Sequence, residues 1–330
     1  LSGLVGSEMC IRDSLNKLIP SAKLGDKIDI SVSGNCVDKI LIPQGIWAVI
    51  RGPSQSKTAS LTWSSTDETI ISVMGQLELV NFNVTSSKQP DALAQTALGG
   101  FLQIVNSSLS SRTAKNIAMA GVEGVTAIIN SSLSGGQNSA LEIAPSGTGF
   151  VVATAGGSST LTNTVGQWGN AIGCWGGNVN VNSSGTGTVA IGPSNLSALN
   201  ARGCRATPGS GSSTKGSVII IGNRLAIEAK AADSISVVNA SIANNNQTMS
   251  VTAGTIEIDN STISIPSSAT DGLIAKRGGI IYFNTIYGQS LVTGSMAKPY
   301  SCYQDGRIYS DFNPGGSSDG CIILLSLIHI

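Results

Sequence analysis

Histidine and cysteine, the side chains most used for nucleophilic catalysis and zinc binding, are scarce in this chain. Its 330 residues include one histidine and six cysteines. The histidine, His329, is the penultimate residue, and the cysteines are widely spaced without a CxxC pair. This pattern disfavours a Ser-His-Asp or Cys-His catalytic system and a zinc site that contains histidine. We therefore predict no catalytic residues of these kinds, no metal and no cofactor.

The cysteines are more simply explained as disulfides of an exported protein. Cys174 with Cys204 would tie down an excursion of the chain, and Cys302 with Cys321 would staple its C-terminal region. Cys36 then remains as a buried thiol, and Cys10 lies in the segment 1–14 that is set apart from the fold below. Other pairings stay open, because spacing alone does not determine connectivity.

Carboxylates and arginines are the other candidates, since hydrolysis of sugars needs paired carboxylates that converge on one face. No adjacent Asp-Asp pair occurs in the chain. The acids and arginines weighed for this role are Glu228, Asp233, Glu257, Asp259, Arg202, Arg205, Arg224 and Arg277. They form no cluster in the sequence, and we predict no catalytic site from them.

Trp168 and Trp175 lie within a glycine-rich stretch, residues 166–187, that has few other large side chains. If exposed, the two rings would give sugars rigid surfaces to stack on. If buried, they would fill a wide part of the core. Both interpretations stay open, and the first makes the pair candidate carbohydrate-binding residues. Trp47 and Trp63 lie in strand-like phrases and are expected in the core.

A repeated seven-residue phrase predicts the scaffold that positions these side chains: Gly, any residue, apolar, any residue, apolar, any residue, Asn. It occurs at residues 75–81, 100–106, 124–130, 254–260 and 278–284. The Asn residues of the first three copies are 25 and 24 positions apart. A strand-and-turn phrase with a fixed period is typical of a coil that stacks on itself. The alternating apolar residues would point inward, and the Asn would mark a bend, because Asn tolerates the left-handed conformation.

The phrase predicts a ladder of corner residues, one per turn, whose side chains bond along the coil. Its members are Asn81, Asn106, Asn130, Asn239, Asn260 and Asn284. Asn223 lies only 16 residues before Asn239, too few for one turn, so one of these two is out of register. The same pattern predicts that Ile280 and Tyr282 point inward, and that Gln103 and Ser107 point outward.

The two ends of the chain are set apart from the fold. Residues 1–14 and 325–330 look like translated sequencing adapters that contaminate environmental gene assemblies, and we treat them as artefacts. Between them we predict an N-terminal cap at 15–27, a right-handed parallel β-helix of ten to twelve rungs at 28–297, and a C-terminal cap at 298–324. A signal peptide is not visible.

Composition limits the function further. Charged residues are 12% of the chain, the formal net charge is zero and 40 residues are glycine. Nucleic-acid binding has no basic cluster to support it, and no apolar run approaches the length of a membrane span. We predict an all-β, single-chain protein that is extracellular or on the cell surface and is monomeric.

The opening of the coil carries a resemblance to a known family. Val32, Gly34 and Cys36 form a Val-x-Gly-x-Cys turn, followed by a strand and by the turn residues Arg51 and Gly52. This phrase, with the repeat, resembles the secreted bacterial β-helix proteins of the pectate-lyase-like superfamily. Polygalacturonases of that family have an adjacent Asp pair, which is missing here. Its lyases gather carboxylates for Ca²⁺ beside an arginine base, for which this sequence shows no clear counterpart.

Three functions are compatible with these observations. We expect a non-enzymatic scaffold that binds glycans or adheres to cells, because the repeat is unbroken, the surface is polar but uncharged and no catalytic cluster is evident. A polysaccharide lyase or glycosidase that works in a groove along the coil is the first alternative. A fragment of a phage tailspike or tail fibre is the second, and it would be trimeric.

Overall fold

The computed structural model describes residues 22–37, 39–53, 59–63, 67–167, 169–208, 217–231, 233–244, 246–287, 289–294, 299–311 and 321–324. Within these residues the chain forms 35 strands. The strands pair in parallel and belong to three sheets of 13, 11 and 11 strands. Successive strands enter the three sheets in rotation, so the chain is an all-β parallel solenoid of about ten turns. This is the fold class that the repeat predicts. Nowhere in the described part of the chain is there a helix long and apolar enough to span a membrane.

The strands have the following bounds. Sheet 1 contains β1 (Lys27–Ser31), β4 (Trp47–Arg51), β7 (Gln76–Val80), β10 (Phe101–Val105), β13 (Val125–Ile129), β16 (Thr148–Ala153), β19 (Asn178–Ser183), β22 (Arg205–Pro208), β25 (Ser234–Val238), β28 (Thr255–Asp259), β31 (Ile280–Phe283), β34 (Arg307–Ser310) and β35 (Ile322–Leu324). Sheet 2 contains β2 (Asn35–Val37), β5 (Ala59–Trp63), β8 (Phe82–Ser86), β11 (Ser108–Ser111), β14 (Ser132–Gly135), β17 (Ser158–Asn163), β20 (Thr188–Ser194), β23 (Ser217–Gly222), β26 (Ala240–Asn244), β29 (Thr262–Ile265) and β32 (Leu291–Gly294). Sheet 3 contains β3 (Ile40–Ile42), β6 (Ile71–Val73), β9 (Ala92–Thr96), β12 (Asn116–Ala120), β15 (Ser139–Ile143), β18 (Asn170–Trp175), β21 (Ser197–Arg202), β24 (Leu225–Lys230), β27 (Gln247–Thr252), β30 (Asp271–Lys276) and β33 (Tyr300–Tyr303).

The core is a stack of aliphatic side chains inside the coil. In sheet 1, Leu102 lies directly beside Leu77 of the previous turn, and Ile104 beside Leu79. All four side chains are at most 1% exposed. Because strands are about 4.8 Å apart, every turn covers the apolar edge of the turn before it. Fully burying such side chains is worth roughly 1.5–3 kcal/mol each.

Asn residues form the corner between sheets 1 and 2 in five turns. Each follows the last residue of a sheet 1 strand and has a positive φ: Asn81 (60°), Asn106 (49°), Asn130 (48°), Asn239 (51°) and Asn260 (44°). The left-handed conformation is the one that Asn tolerates better than most residues. It turns the chain within one residue, which explains why the phrase ends in Asn.

The side chains of these corner Asn residues do not form one continuous ladder. Asn260 donates to the Oδ1 of Asn239 over 2.6 Å. Asn130 instead bonds to Thr154, and the amide of Asn81 donates to a backbone carbonyl 3.0 Å away. Asn106 is half-buried. The expected bonding between neighbouring Asn residues is therefore present at one step and replaced by other partners elsewhere.

A ladder of serine hydroxyls lies inside this corner, and two of its members, Ser107 and Ser131, directly follow a corner Asn. The N–H of Ser107 donates to the Oγ of Ser131, and the N–H of Ser131 to the Oγ of Ser159. The hydroxyls of Ser107 and Ser131 each donate, over 2.7 Å, to the carbonyl of the residue two positions earlier. The prediction that Ser107 points outward is wrong, because this residue is 5% exposed.

The last copy of the phrase is shifted by one residue. Phe283 pairs with Ile258, so Asn284 lies opposite Asp259 rather than Asn260. Asn284 is not among the residues with a positive φ. In β31 the fully buried residues are Ile281 and Phe283. The predictions that Asn284 belongs to the corner ladder and that Ile280 and Tyr282 point inward are therefore wrong by one position.

Two other sequence expectations can be compared with the structure. Asn223 follows a strand of sheet 2, so Asn239 is the corner residue of that pair. Trp47 is 41% exposed on sheet 1, against the expectation that it lies in the core, and the Trp63 side chain lies outside the described part of the chain.

At the C-terminal end, strands continue into the stretch predicted as a cap. β33 pairs with β30, and β34 with β31, so residues 300–310 extend the coil by part of a turn. β35 then pairs with β34. Most of the predicted N-terminal cap lies outside the described residues, which begin at residue 22.

Candidate functional site

The outward face of sheet 3, from β15 onward, carries a set of charged, aromatic and polar side chains. They form two columns that run along the coil, one residue per turn. The first column is Glu142, Gly173, Asn200, Glu228 and Ser250. The second column is Trp175, Arg202, Lys230, Thr252, Lys276 and Tyr303. Alternate residues on the same strands, such as Ile172 and Leu199, are at most 1% exposed, which fixes the columns on the outer face.

Gly173 forms a notch in the first column. A Cβ atom at this position would lie 2.5 Å from the Oγ of Ser139, 3.1 Å from Oε2 of Glu142 and 3.5 Å from the indole nitrogen of Trp175. The shortest of these distances is too short for a real contact, so a side chain here would displace the Ser139 hydroxyl. Glycine therefore allows two polar groups and an aromatic ring to approach the backbone of β18.

Glu142 is half-buried at one side of this notch. Loss of solvent raises the pKa of its carboxyl above the ordinary value of 4.5, because burial disfavours the charged form. The nearby Ser139 hydroxyl and Trp175 indole act in the opposite direction and favour the carboxylate. Together these effects raise the pKa of Glu142, so this carboxyl takes up a proton more readily than one in water.

Trp175 lies between a carboxyl and a guanidinium group. Its indole lies near Glu142, and the guanidinium carbon of Arg202 lies 5.7 Å from the centre of its ring. An arginine at this distance is attracted by the negative face of the ring. The ring is partly exposed. It is therefore accessible from solvent, as a stacking surface for a ligand must be.

Further along the second column, cationic and aromatic side chains continue. Lys230 forms a salt bridge of 2.6 Å with Glu228 of the first column. The Nζ of Lys276 lies 5.8 Å from the centre of the Tyr303 ring. Six consecutive strands at about 4.8 Å each place Trp175 and Tyr303 roughly 24 Å apart. The column thus offers one aromatic ring at each end and three cations between them.

The corner beyond Trp175 is locked covalently. Cys174 and Cys204 form a disulfide with a Cα–Cα distance of 6.2 Å. The carboxylate of Asp233, which is 2% exposed, accepts hydrogen bonds from the N–H groups of Cys204 (2.5 Å) and Lys230 (2.6 Å). Burial nevertheless raises the pKa of Asp233. These contacts fix the ends of β18, β21 and β24, the three strands that carry Trp175, Arg202 and Lys230.

The residues singled out in the sequence have the following positions. Trp175 belongs to the second column, and Trp168 lies outside the described residues. Cys302 and Cys321 form a second disulfide, with a Cα–Cα distance of 5.7 Å, and Cys36 is a buried thiol in β2. Of the acids and arginines weighed for catalysis, Arg202 and Glu228 lie in the two columns. Glu257 and Arg205 lie on strands of sheet 1.

Sequence reasoning missed Glu142, Asn200 and Lys230. They lie in different turns, 30 to 88 residues apart, and only the register of sheet 3 brings them onto one face. One signal was available: near the ends of β15, β21, β24 and β27, a polar residue comes one position before a buried aliphatic residue. Aligning those strands would have placed Glu142 and Glu228 in the same column.

Glu142 and Glu228 are three strands apart, a backbone distance of roughly 14 Å. Paired carboxylates of glycosidases are about 5–9.5 Å apart. Within the described ranges, His, Cys, Asp and Glu side chains form no group of three that could hold a metal ion.

Comparison with known proteins adds no assignment. No protein-family model matches the chain, and no curated protein sequence matches it.

Proposed function

We propose that this protein is an exported β-helix scaffold without enzymatic activity that binds a glycan chain along the outer face of sheet 3. The observation that carries the proposal is the Trp175 ring, which is partly exposed and lies between Glu142 and Arg202 beside the Gly173 notch. A rigid aromatic face with polar groups at its edge is suited to a sugar ring, which has both apolar C–H faces and hydroxyls.

The cations of the second column indicate the charge of the ligand. In the described structure, Lys230 is paired with Glu228, whereas Arg202 and Lys276 lie over aromatic rings and in no salt bridge. Two such cations on one straight column favour a polymer that bears negative groups. We therefore propose an acidic polysaccharide, lying parallel to the coil between Trp175 and Tyr303.

Export is supported by the disulfides Cys174–Cys204 and Cys302–Cys321, because such bonds persist in oxidising compartments. The three-sheet parallel coil and the Val32, Gly34 and Cys36 turn support membership of the pectate-lyase-like superfamily. We propose that the protein acts as a monomer at the cell surface or outside the cell.

The test is binding of the disulfide-intact protein to a panel of acidic and neutral polysaccharides, with the Trp175→Ala variant. Loss of a stacking ring should weaken binding about tenfold, or roughly 1–2 kcal/mol. Trp47→Ala is the matched control, since Trp47 is also exposed but lies on sheet 1. A wild-type protein that binds no polysaccharide, or a Trp175→Ala variant that binds equally well, would overturn the proposal.

The alternatives give different results in the same assays. A lyase or glycosidase would release unsaturated or reducing-end products from the polysaccharides, and Glu142→Gln would abolish their release. A tailspike fragment would sediment as a trimer at low protein concentration. Either result would replace the scaffold function proposed above.

A further inference from the structure

Five consecutive strands of sheet 2 repeat one pattern, in which a buried aliphatic residue lies between two outward polar residues. The triplets are Ser60-Leu61-Thr62, Asn83-Val84-Thr85, Ser108-Leu109-Ser110, Ser132-Leu133-Ser134 and Thr160-Leu161-Thr162. The central residue of every triplet is 0% exposed. The ten outward residues, nine with hydroxyls and one with an amide, are called the hydroxyl array below.

The hydroxyl array is regular in two directions. Along the coil, Ser60, Asn83, Ser108, Ser132 and Thr160 are direct neighbours in the strand register, and so are their partners two residues later. Neighbouring strands are about 4.8 Å apart, and residues two apart on one strand are roughly 6.6 Å apart. The result is a nearly rectangular net of polar groups on the outer face of sheet 2. Hydrogen bonds from Ser132 to Ser108 (3.0 Å) and from Thr162 to Ser134 (3.2 Å) hold side chains in place.

Charged residues are absent from the described strands of sheet 2. None of the eleven strands of sheet 2 contains Asp, Glu, Lys or Arg, although the chain has 38 such residues. Strands of sheet 1 in the same turns carry Arg51 and Glu78, and sheet 3 carries Glu142. A charged side chain binds its own tightly held water and would interrupt any regular layer on the net. A partner that fits this face should therefore itself have an uncharged surface.

The composition and size of the hydroxyl array exclude the usual neutral partners. Protein interfaces are enriched in aromatic residues, Met and Arg and depleted in Ser, and sugar-binding faces rely on aromatic rings, none of which occurs among the ten residues. Five strands of two residues cover about 200 Å², against about 800 Å² per partner in a stable protein complex. We therefore consider a partner that consists of ordered water molecules.

We propose that the hydroxyl array binds ice. Each hydroxyl or amide can hold a first-shell water molecule by a hydrogen bond. Because the polar groups are equally spaced, these water molecules lie in rows whose repeat is close to that of the oxygen atoms in ice, and the rows can join a growing crystal. The hydroxyl array ends at β17, where the strand register shifts between Leu161 and Asn163. The next strand of sheet 2, β20, has Ala190 at the position where the array has a hydroxyl.

The experiment uses the full chain with its disulfides intact, fluorescently labelled and frozen slowly from dilute solution. The proposal expects enrichment of the protein in the ice fraction and faceted crystals under the microscope. Ser110→Lys, at the centre of the hydroxyl array, should reduce the enrichment by about tenfold, because the ammonium group would have to lose its hydration against the crystal. The matched control is Gln103→Lys, in the same turn but on sheet 1, which should bind ice as the wild type does.

Thermal unfolding of each variant separates loss of binding from loss of fold. Equal partitioning of the wild type and Ser110→Lys would overturn the proposal, as would a wild type excluded from ice. A dimer or neutral-polysaccharide complex abolished by Ser110→Lys, without ice binding, would also overturn it and assign the face to that partner. Trp175→Ala should leave ice binding unchanged, so failure of glycan binding and failure of ice binding are distinguishable.

Discussion

Ser107 and Ser131 occupy the same position in successive turns, and the backbone N–H of the first donates to the side-chain oxygen of the second over 3.0 Å. The same hydroxyl of Ser131 donates to the carbonyl of Ile129. A single buried side chain thus satisfies a donor in one turn and an acceptor in another. The corner between sheets 1 and 2 depends on this inner contact as well as on the Asn that precedes it.

Ser131→Ala should destabilise the protein by roughly 1–3 kcal/mol, because the buried N–H of Ser107 would lose its acceptor. Thermal or denaturant unfolding measures the loss. Gln103→Ala is the control, since Gln103 is outward and should change the free energy of unfolding by less than about 0.5 kcal/mol. Equal midpoints for the two variants would show that the serine ladder does not contribute.

Asn106→Leu should also lower stability, for a backbone reason. Asn106 has a φ of 49°, and a residue with an ordinary side chain loses roughly 1–2 kcal/mol in the left-handed conformation. Asn106→Gly is the informative comparison, because glycine adopts this conformation without steric cost. Unfolding of Asn106→Gly at the same midpoint as Asn106→Leu would contradict a conformational role for this corner.

Glu142→Gln tests the raised pKa at the candidate site. A carboxyl with a folded-state pKa above its unfolded value binds more protons when folded, so stability falls as the pH rises through the interval above 4.5. The amide has no such dependence. We therefore expect the stability of Glu142→Gln relative to the wild type to increase between pH 4 and pH 7. Unfolding curves at several pH values measure this difference, and a difference independent of pH would be inconsistent with the burial of a titrating carboxyl.

Replacement of Cys174 and Cys204 by serine should cost about 3 kcal/mol, the usual contribution of a disulfide that closes a loop of this length. The same variant should weaken glycan binding, since the bond fixes the ends of the strands that carry Trp175 and Arg202. Replacement of Cys302 and Cys321 is the control, with a comparable loss of stability and unchanged binding. Unchanged glycan binding after replacement of Cys174 and Cys204 would show that this disulfide does not position the glycan-binding residues.

The sequence pattern predicted the fold because its period reports the turn length directly. Five of the six predicted corner Asn residues have the left-handed conformation. Asn284 does not, because the strand before it is placed one residue later relative to its neighbour. A single-residue shift reverses inward and outward positions, and the phrase itself does not reveal it.

The candidate site was less predictable. Trp175 was recognised from its glycine-rich surroundings, but its neighbours Glu142 and Arg202 were not connected with it. The Asn phrase fixes the register of sheet 1 alone, whereas sheet 3 follows after turns of variable length. The contact between Trp175 and Arg202 depends on those turns, so it is a property of the folded coil.

Because each turn contacts only the turns before and after it, the length of this molecule can change by whole turns. Residues 107–130 form one such unit: it begins after one left-handed Asn and ends with the next. Duplicating or removing the corresponding gene segment would join equivalent backbone conformations and keep every inward column in phase. The length of each outer face can therefore change through the number of turns, while the residues within each turn stay the same.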